Sequence, residues 1–91
     1  MIIKIKHPLR IQDKEVTELT IDFDKLTGND FIMAEQEVRA MGDTTPTVFL
    51  SMKFQAALAA RCLGVPVDDI LALPGNDFRS LIVPMANFLL N

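Results

Sequence analysis

The change of hydrophobic period between residues 17 and 41 constrains the fold of this chain more than any other feature. Up to Phe23, apolar and polar residues alternate with a period of two, which is typical of a strand with one buried face. After Thr27, apolar residues recur at helical spacing. Thr27 can cap this helix, and Asp30 places negative charge in its first turn. The order of elements is therefore strands first and helices afterwards.

Two strands before this junction predict a β-hairpin. The first begins near the start of the chain, where Ile3 and Ile5 alternate with lysines that discourage further pairing at an edge. A polar segment at residues 12–15 supplies the turn, and the second strand runs from about Val16 to Phe23. Because an isolated two-stranded hairpin is not stable in water, it must pack on the helices.

Capping and breaking residues divide the rest of the chain into three main helices and one short helical turn. Gly42 and Gly64 supply left-handed stops, and Thr45 followed by Pro46 is a typical helix start. Pro84 lies inside the last helix, which it either kinks or divides. The predicted segments are 27–41, 45–63, 67–73 and 76–90, with Asn76 as the cap of the last one.

These elements predict an α+β fold in which the helices pack on an N-terminal hairpin. A length of 91 residues predicts a single domain, with the hairpin at 1–23 and the helical part at 27–91. Its hydrophobic fraction of 49% is high for so small a protein, so some apolar side chains should lie on the surface. Exposed apolar patches usually mark surfaces that bind partners.

Charge, apolar segments and cysteine content limit the partners and the compartment that we expect for this chain. The net charge is −3 and no basic cluster is present, which argues against nucleic-acid binding. No stretch approaches the roughly 20 apolar residues of a membrane span. The single Cys62 cannot form an internal disulfide, which predicts a reducing compartment such as the cytoplasm.

The inventory of reactive side chains gives no sign of catalysis. His7 has no cysteine or serine near it in sequence, and no base is visible that could activate Cys62. Asp68 and Asp69 are better explained as charges at the start of a helical turn than as a metal or acid–base pair. No residues have the spacing of a metal site or of a phosphate-binding loop. We therefore expect no enzyme, no cofactor and no metal.

The second predicted helix carries two apolar stripes. One is expected to face the core and consists of Val48, Phe49, Met52, Ala56, Ala59, Ala60 and Leu63. The other lies opposite, beside Arg61, and consists of Leu50, Phe54 and Leu58. This second stripe either forms an interface with a partner or a second copy, or is buried because the helix is central. In the first case Phe54→Asp leaves the chain folded but reduces the size of the particle, and in the second it unfolds the chain.

A series of short motifs occurs along the chain in a characteristic order and spacing. They are His7-Pro8-Leu9, Val16-Thr17-Glu18-Leu19, Leu26-Thr27-Gly28-Asn29-Asp30, Ala34-Glu35, the alanine-rich segment 56–60, the segment 64–70, Leu73, Asn76-Asp77-Phe78 and Phe88-Leu89. Together they resemble the small tail assembly chaperones of long-tailed bacteriophages, the group that includes the E proteins of contractile-tailed phages. The chain departs from this pattern at Asp13-Lys14, where a turn containing glycine is expected.

The resemblance implies a protein without catalytic activity in the cytoplasm of an infected or lysogenic bacterium. It implies binding to the tape measure protein, which is kept soluble, and help to the tail tube subunits that polymerise around it. Such a chaperone is expected to be a homo-oligomer, with Leu50, Phe54, Leu58 and the neighbouring Arg61 at an interface with a partner or a second copy. The alternative is a structural subunit of the tail or the head–tail junction that stays in the virion.

Overall fold

The computed structural model describes all 91 residues and contains an antiparallel hairpin followed by four helices. The strands are β1 (Ile2–Ile11) and β2 (Lys14–Thr20), and the helices are α1 (Gly28–Ala40), α2 (Met52–Leu63), α3 (Val67–Leu71) and α4 (Gly75–Leu90). Two short 3₁₀ turns lie at Phe23–Lys25 and Val48–Leu50. The predicted α+β class, with the hairpin before the helices, is confirmed.

The hairpin turns on Gln12 and Asp13, whose φ angles are 50° and 65°. Two successive residues with positive φ are typical of the type I′ turn, whose twist matches that of the flanking strands. Aspartate adopts this conformation more readily than most residues, whereas glutamine has no such preference. The turn therefore forms without the glycine that the resemblance led us to expect.

β1 contains a bulge in the middle of the hairpin. Between the pair Lys4–Glu18 and the pair Leu9–Val16, β1 advances five residues while β2 advances two. The excess residues of β1 interrupt the ladder, so the backbone groups there need partners outside the hairpin.

The carboxylate of Asp77, in the first turn of α4, supplies these partners. The backbone amides of Lys6 and His7 donate to its two oxygens at 2.8 and 2.9 Å, and Nδ1 of His7 lies 3.0 Å from Oδ2. The Asp77 residue is only 3% exposed. The Lys6 amide contributes most to lowering the pKa of Asp77, followed by the amide and the ring of His7. One carboxylate thus fixes the hairpin to α4.

α2 is the central helix of the core. Every residue from Phe54 to Ala60 is buried, and α1, α3 and α4 all pack on α2. The helix carries four alanines within this segment, which let its neighbours approach closely. The same core includes residues from both strands and from every helix.

The start of α2 differs from its predicted position. We predicted a start at Thr45 and Pro46, but the helix begins at Met52, and Ser51 caps it by accepting a hydrogen bond from the amide of Phe54 at 3.2 Å. The hydroxyl of Thr45 is engaged elsewhere, because it donates to Oδ1 of Asp43 at 2.6 Å. Residues 45–51 therefore form a loop with one 3₁₀ turn at Val48–Leu50 instead of the first turns of α2.

Asp43 organises this loop through three hydrogen bonds. Its side chain accepts from the amide and the hydroxyl of Thr45 and from the hydroxyl of Ser51. These bonds, that of Ser51 first, lower the pKa of Asp43 to about 2.

The lowered pKa of Asp43 predicts a pH-dependent contribution to stability. A depressed carboxylate pKa stabilises the folded chain at pH values above the unfolded pKa of about 3.9, and this contribution is lost as the pH falls toward the folded value. We expect Asp43→Asn to lower the urea midpoint at pH 6, and the difference from the wild type to shrink between pH 4 and pH 2. Titration of all other carboxylates is common to both proteins, so a pH-independent difference would contradict this role of Asp43.

The last helix is continuous, and its start differs from the prediction. Asn76 lies inside α4 and does not cap it, because Pro74 takes the capping position and the helix begins at Gly75. Pro84 lies within the helix without dividing it. Since proline has no N–H, the carbonyl of Ser80 lacks its usual donor four residues on.

A candidate partner-binding surface

The four residues predicted as an interface have different environments. Phe54 and Leu58 are 0% exposed, whereas Leu50 is 58% exposed in the 3₁₀ turn before α2. The prediction of an exposed stripe is therefore wrong for Phe54 and Leu58, because α1, α3 and α4 cover α2. The core-facing stripe also needs correction at Phe49 and Met52, which are both exposed. That Leu50 contacts a partner stays a prediction.

Arg61, the fourth of these residues, is engaged within the chain. Its Nε and Nη2 donate to Oδ1 of Asp30 at 3.1 and 2.9 Å. The other carboxylate oxygen of Asp30 accepts from the amide of Thr27 at 2.9 Å, which completes the cap of α1. The Thr27 amide and the Arg61 guanidinium lower the pKa of Asp30. Arg61 thus joins α2 to the first turn of α1, and its contact with a partner stays a prediction.

Five of the six phenylalanines contact one another and form what we call the aromatic row. The rings of Phe23 and Phe88 stack with centroids 4.2 Å apart, and Phe31 meets Phe88 edge-on at 6.4 Å. Phe31 also contacts Phe49 at 5.7 Å and Phe54 at 6.2 Å. The row therefore joins residues of α1, α2 and α4 and of both 3₁₀ turns.

The aromatic row is buried on one side and exposed on the other. Phe54 lies in the core, Phe23 and Phe31 are half-buried, and Phe49 and Phe88 are 36% and 37% exposed. Aromatic side chains bind other proteins with a large apolar area and little loss of conformational freedom. The exposed side of the row is therefore a candidate binding surface.

A shallow groove between the start of β1 and α4 extends this surface. It is lined by Met1 and Ile2 on one side and by Val83 and Pro84 on the other. Met1 also borders a second cleft, which is lined by Phe23 of the aromatic row. We call this combined surface the apolar band; it consists of Met1, Ile2, Val83, Pro84, Phe23, Phe88, Phe31, Phe49 and Leu50.

Two cations border the groove without an ion-pair partner. Lys4 and Arg79 line it, and neither takes part in any of the four ion pairs of the chain. Ser80, whose carbonyl lacks its helical donor, also lines the groove. The groove thus combines an apolar floor with groups that can hold a partner by charge and hydrogen bonding.

The residues considered for catalysis have ordinary surroundings. The ring of His7 contacts Asp77 and is otherwise exposed. Burial, together with the charges of Asp30 and Asp22, raises the pKa of the half-buried Cys62 thiol and keeps it protonated. No group of three His, Cys, Asp or Glu side chains is placed to hold a metal ion. None of the helices combines the length and the apolar composition that crossing a membrane requires.

The sequence analysis missed both the aromatic row and the role of Asp77. Helical periodicity carries no sign that the rings of Phe31 and Phe88 meet at the edge of the core. The number of phenylalanines in a chain without tryptophan or tyrosine was the available signal for an aromatic cluster. No local signal indicates that Asp77 binds residues 70 and 71 positions earlier.

Comparison with known proteins identifies the family. The family model described as phage tail assembly chaperone proteins, E, or 41 or 14, matches residues 2–90. Since the match spans nearly the whole chain, the chain belongs to this family of phage tail assembly chaperones, and its role lies in tail assembly. Searches of the curated proteins and of the solved structures gave no match.

Proposed function

We propose that this chain binds the tape measure protein of its phage or prophage and promotes assembly of the tail tube around it, in the cytoplasm of the host. Membership of the family supports a role in tail assembly. The apolar band supports binding of an apolar partner. The role requires no catalytic group, since a chaperone of this kind acts by covering surface.

The exposed side of the aromatic row is the observation that carries this proposal. A long helical protein that is apolar along one face aggregates unless that face is covered. Phe49, Phe88 and Leu50 offer rings and an aliphatic side chain that are already exposed. Covering apolar surface stabilises a complex by about 25 cal/mol per Å² before the costs of association. The surface therefore suits a partner that is amphipathic and helical.

Co-expression with the tape measure protein of the same phage tests the proposal. We expect the tape measure protein to become soluble and to co-purify with the affinity-tagged chain. If it stays insoluble and unbound while the chain itself is folded, the proposal is wrong. Tube assembly is then tested by adding purified tail tube protein to the complex and counting tubes by electron microscopy.

A pair of matched variants tests the position of the binding surface. Phe49 and Leu71 are exposed to nearly the same extent, 36% and 38%, but only Phe49 belongs to the apolar band. We expect Phe49→Ser to weaken binding of the tape measure protein about tenfold or more, as aromatic residues at the centre of an interface do. Leu71→Ser should leave the affinity unchanged. Equal losses in both variants would show that binding does not use the aromatic row.

A structural subunit retained in the virion is the second candidate. The exposed apolar band favours it as well, because a permanent subunit also covers such a surface. Mass spectrometry of purified virions separates the two, since the chaperone is expected to be absent from the mature particle. Detection in stoichiometric amount would favour the structural subunit.

A further inference from the structure

The outer edge of β2 is open along the whole strand. β2 pairs with β1 only, and no backbone hydrogen bond outside the hairpin ladder involves a residue of β2. An open edge presents unpaired amide and carbonyl groups to another strand. Natural edges are usually protected by proline, by a bulge or by charges that repel a partner strand. β2 contains no proline, and the excess residues of the bulge lie on β1.

We propose that β2 pairs antiparallel with β2 of a second copy, with Val16 at the two-fold axis. The two hairpins then form one four-stranded sheet in the order β1–β2–β2–β1. The residues that define this pairing, Lys14, Val16 and Glu18, do not belong to the apolar band. The dimer is therefore independent of the proposed binding of the tape measure protein.

The charges of β2 complement one another in this register. Glu15 forms an ion pair with Arg10 at 3.6 Å. Glu18 lies opposite Lys4 in the hairpin and Lys14 lies opposite Ile11, but neither Lys14 nor Glu18 forms an ion pair within the chain. With Val16 at the axis, Lys14 of each copy lies directly opposite Glu18 of the other. Opposite charges in such cross-strand pairs stabilise antiparallel strands. The two-fold axis therefore creates two Lys14–Glu18 pairs, one on each side of Val16.

Neighbouring registers lack this complementarity. An axis at Glu15 places the two copies of Glu15 opposite each other, and like charges in that position are destabilising. An axis at Thr17 places Glu18 opposite Val16, so its charge again has no partner. Because a shift in register changes every cross-strand pair, the charge pattern selects the axis at Val16.

The same pairing covers an apolar cleft beside β2. Lys14, Val16 and Glu18 line one side of it, and Cys62 and Leu63 at the end of α2 line the other. Val16, Cys62 and Leu63 are only partly buried in the single chain. A second β2 beside Val16 would remove part of this surface from water, which adds an apolar contribution to the hydrogen bonds of the edge.

Disulfide formation at the axis tests the register. In a Cys62→Ala background, Val16→Cys places two cysteines opposite each other, with a Cα–Cα distance of about 4.5–5.5 Å, which a disulfide can span. Thr17→Cys is the control, because the two copies of residue 17 then lie about 8 Å apart and cannot be bridged. We expect a covalent dimer for Val16→Cys under mild oxidation at micromolar concentration, and little for Thr17→Cys.

Thr17 is more exposed than Val16, so random collisions between monomers would cross-link the Thr17→Cys control more readily than Val16→Cys. Equal cross-linking of both variants, or none in a Val16→Cys protein that circular dichroism shows to be folded, would overturn the proposal.

Charge reversal provides an independent measurement. Both Lys14 and Glu18 are exposed, so their substitution leaves the fold intact. Lys14→Glu should weaken the dimer about tenfold in sedimentation equilibrium, since both symmetric pairs become repulsive. The double variant Lys14→Glu/Glu18→Lys should restore the wild-type affinity. A monomeric wild type, or a dimer insensitive to Lys14→Glu, would show that β2 does not form the interface.

Discussion

Replacing Phe54 by alanine should lower the free energy of unfolding by about 3–5 kcal/mol, the usual cost of removing a buried aromatic ring. The side chain is 0% exposed and contacts Phe31 and Phe49 as well as its neighbours in the core. Since a domain of this size is stable by only about 5–10 kcal/mol, the loss is a large part of the total. Urea denaturation followed by circular dichroism measures it in a chain that has no tryptophan or tyrosine.

Leu50→Ala is the control for this substitution. Because Leu50 is largely exposed, its replacement should change the free energy of unfolding by no more than about 0.5 kcal/mol. Phe54→Asp is expected to unfold the chain, since it would place an unpaired charge in the core. A folded Phe54→Asp protein with a smaller particle size would instead favour the interface that the sequence suggested, and would contradict the burial of Phe54.

Asp77→Asn should separate the hairpin from α4 and be the most destabilising substitution of a single carboxylate in this chain. The isosteric amide keeps one acceptor oxygen but turns an NH₂ group toward an amide donor of Lys6 or His7. A buried donor without a partner costs free energy, so the two amides would turn to water. Hydrogen exchange should therefore lose its protection at Lys6 and His7, and the urea midpoint should fall.

The pH dependence of stability gives a second measure of Asp77. Because the folded pKa of Asp77 is lowered, its contribution is present above the usual pKa of about 3.9 and is lost as the pH falls below that value. The difference between the wild type and Asp77→Asn should shrink accordingly in acid. Asp69→Asn, at an exposed carboxylate in α3, is the control and should change neither exchange nor midpoint. An equal effect of both variants would show that the contact with β1 contributes nothing.

Local chemistry made several elements predictable from the sequence. Thr27 caps α1 and Asp30 lies in its first turn as expected, and Gly42 and Gly64 adopt the left-handed conformation that ends a helix. These signals depend on residues within a few positions of one another, so a single sequence contains them completely. The alternation of Ile3 and Ile5 with lysines likewise predicted the buried face of β1.

Features that depend on distant neighbours were not predictable in the same way. The apolar pattern of α2 predicts two stripes, but which of them is covered depends on where α1, α3 and α4 pack. The start of α2 at Met52 follows a loop in which Asp43 binds both Thr45 and the capping residue Ser51, eight positions away. The candidate surface could not be predicted from the sequence for the same reason. The rings of Phe23 and Phe88, for example, lie 65 positions apart and meet only through the tertiary fold.

The contact between Asp77 and β1 also affects how the chain can fold during translation. His7 is synthesised seventy residues before Asp77, whose carboxylate accepts the hydrogen bond of the His7 amide. During this interval, the backbone amides of the bulge in β1 can form hydrogen bonds only with water. The apolar side chains of Ile3 and Ile5 cannot yet pack in a completed core. The nascent hairpin is therefore expected to stay open until α4 has been synthesised, and its apolar face stays exposed for most of translation.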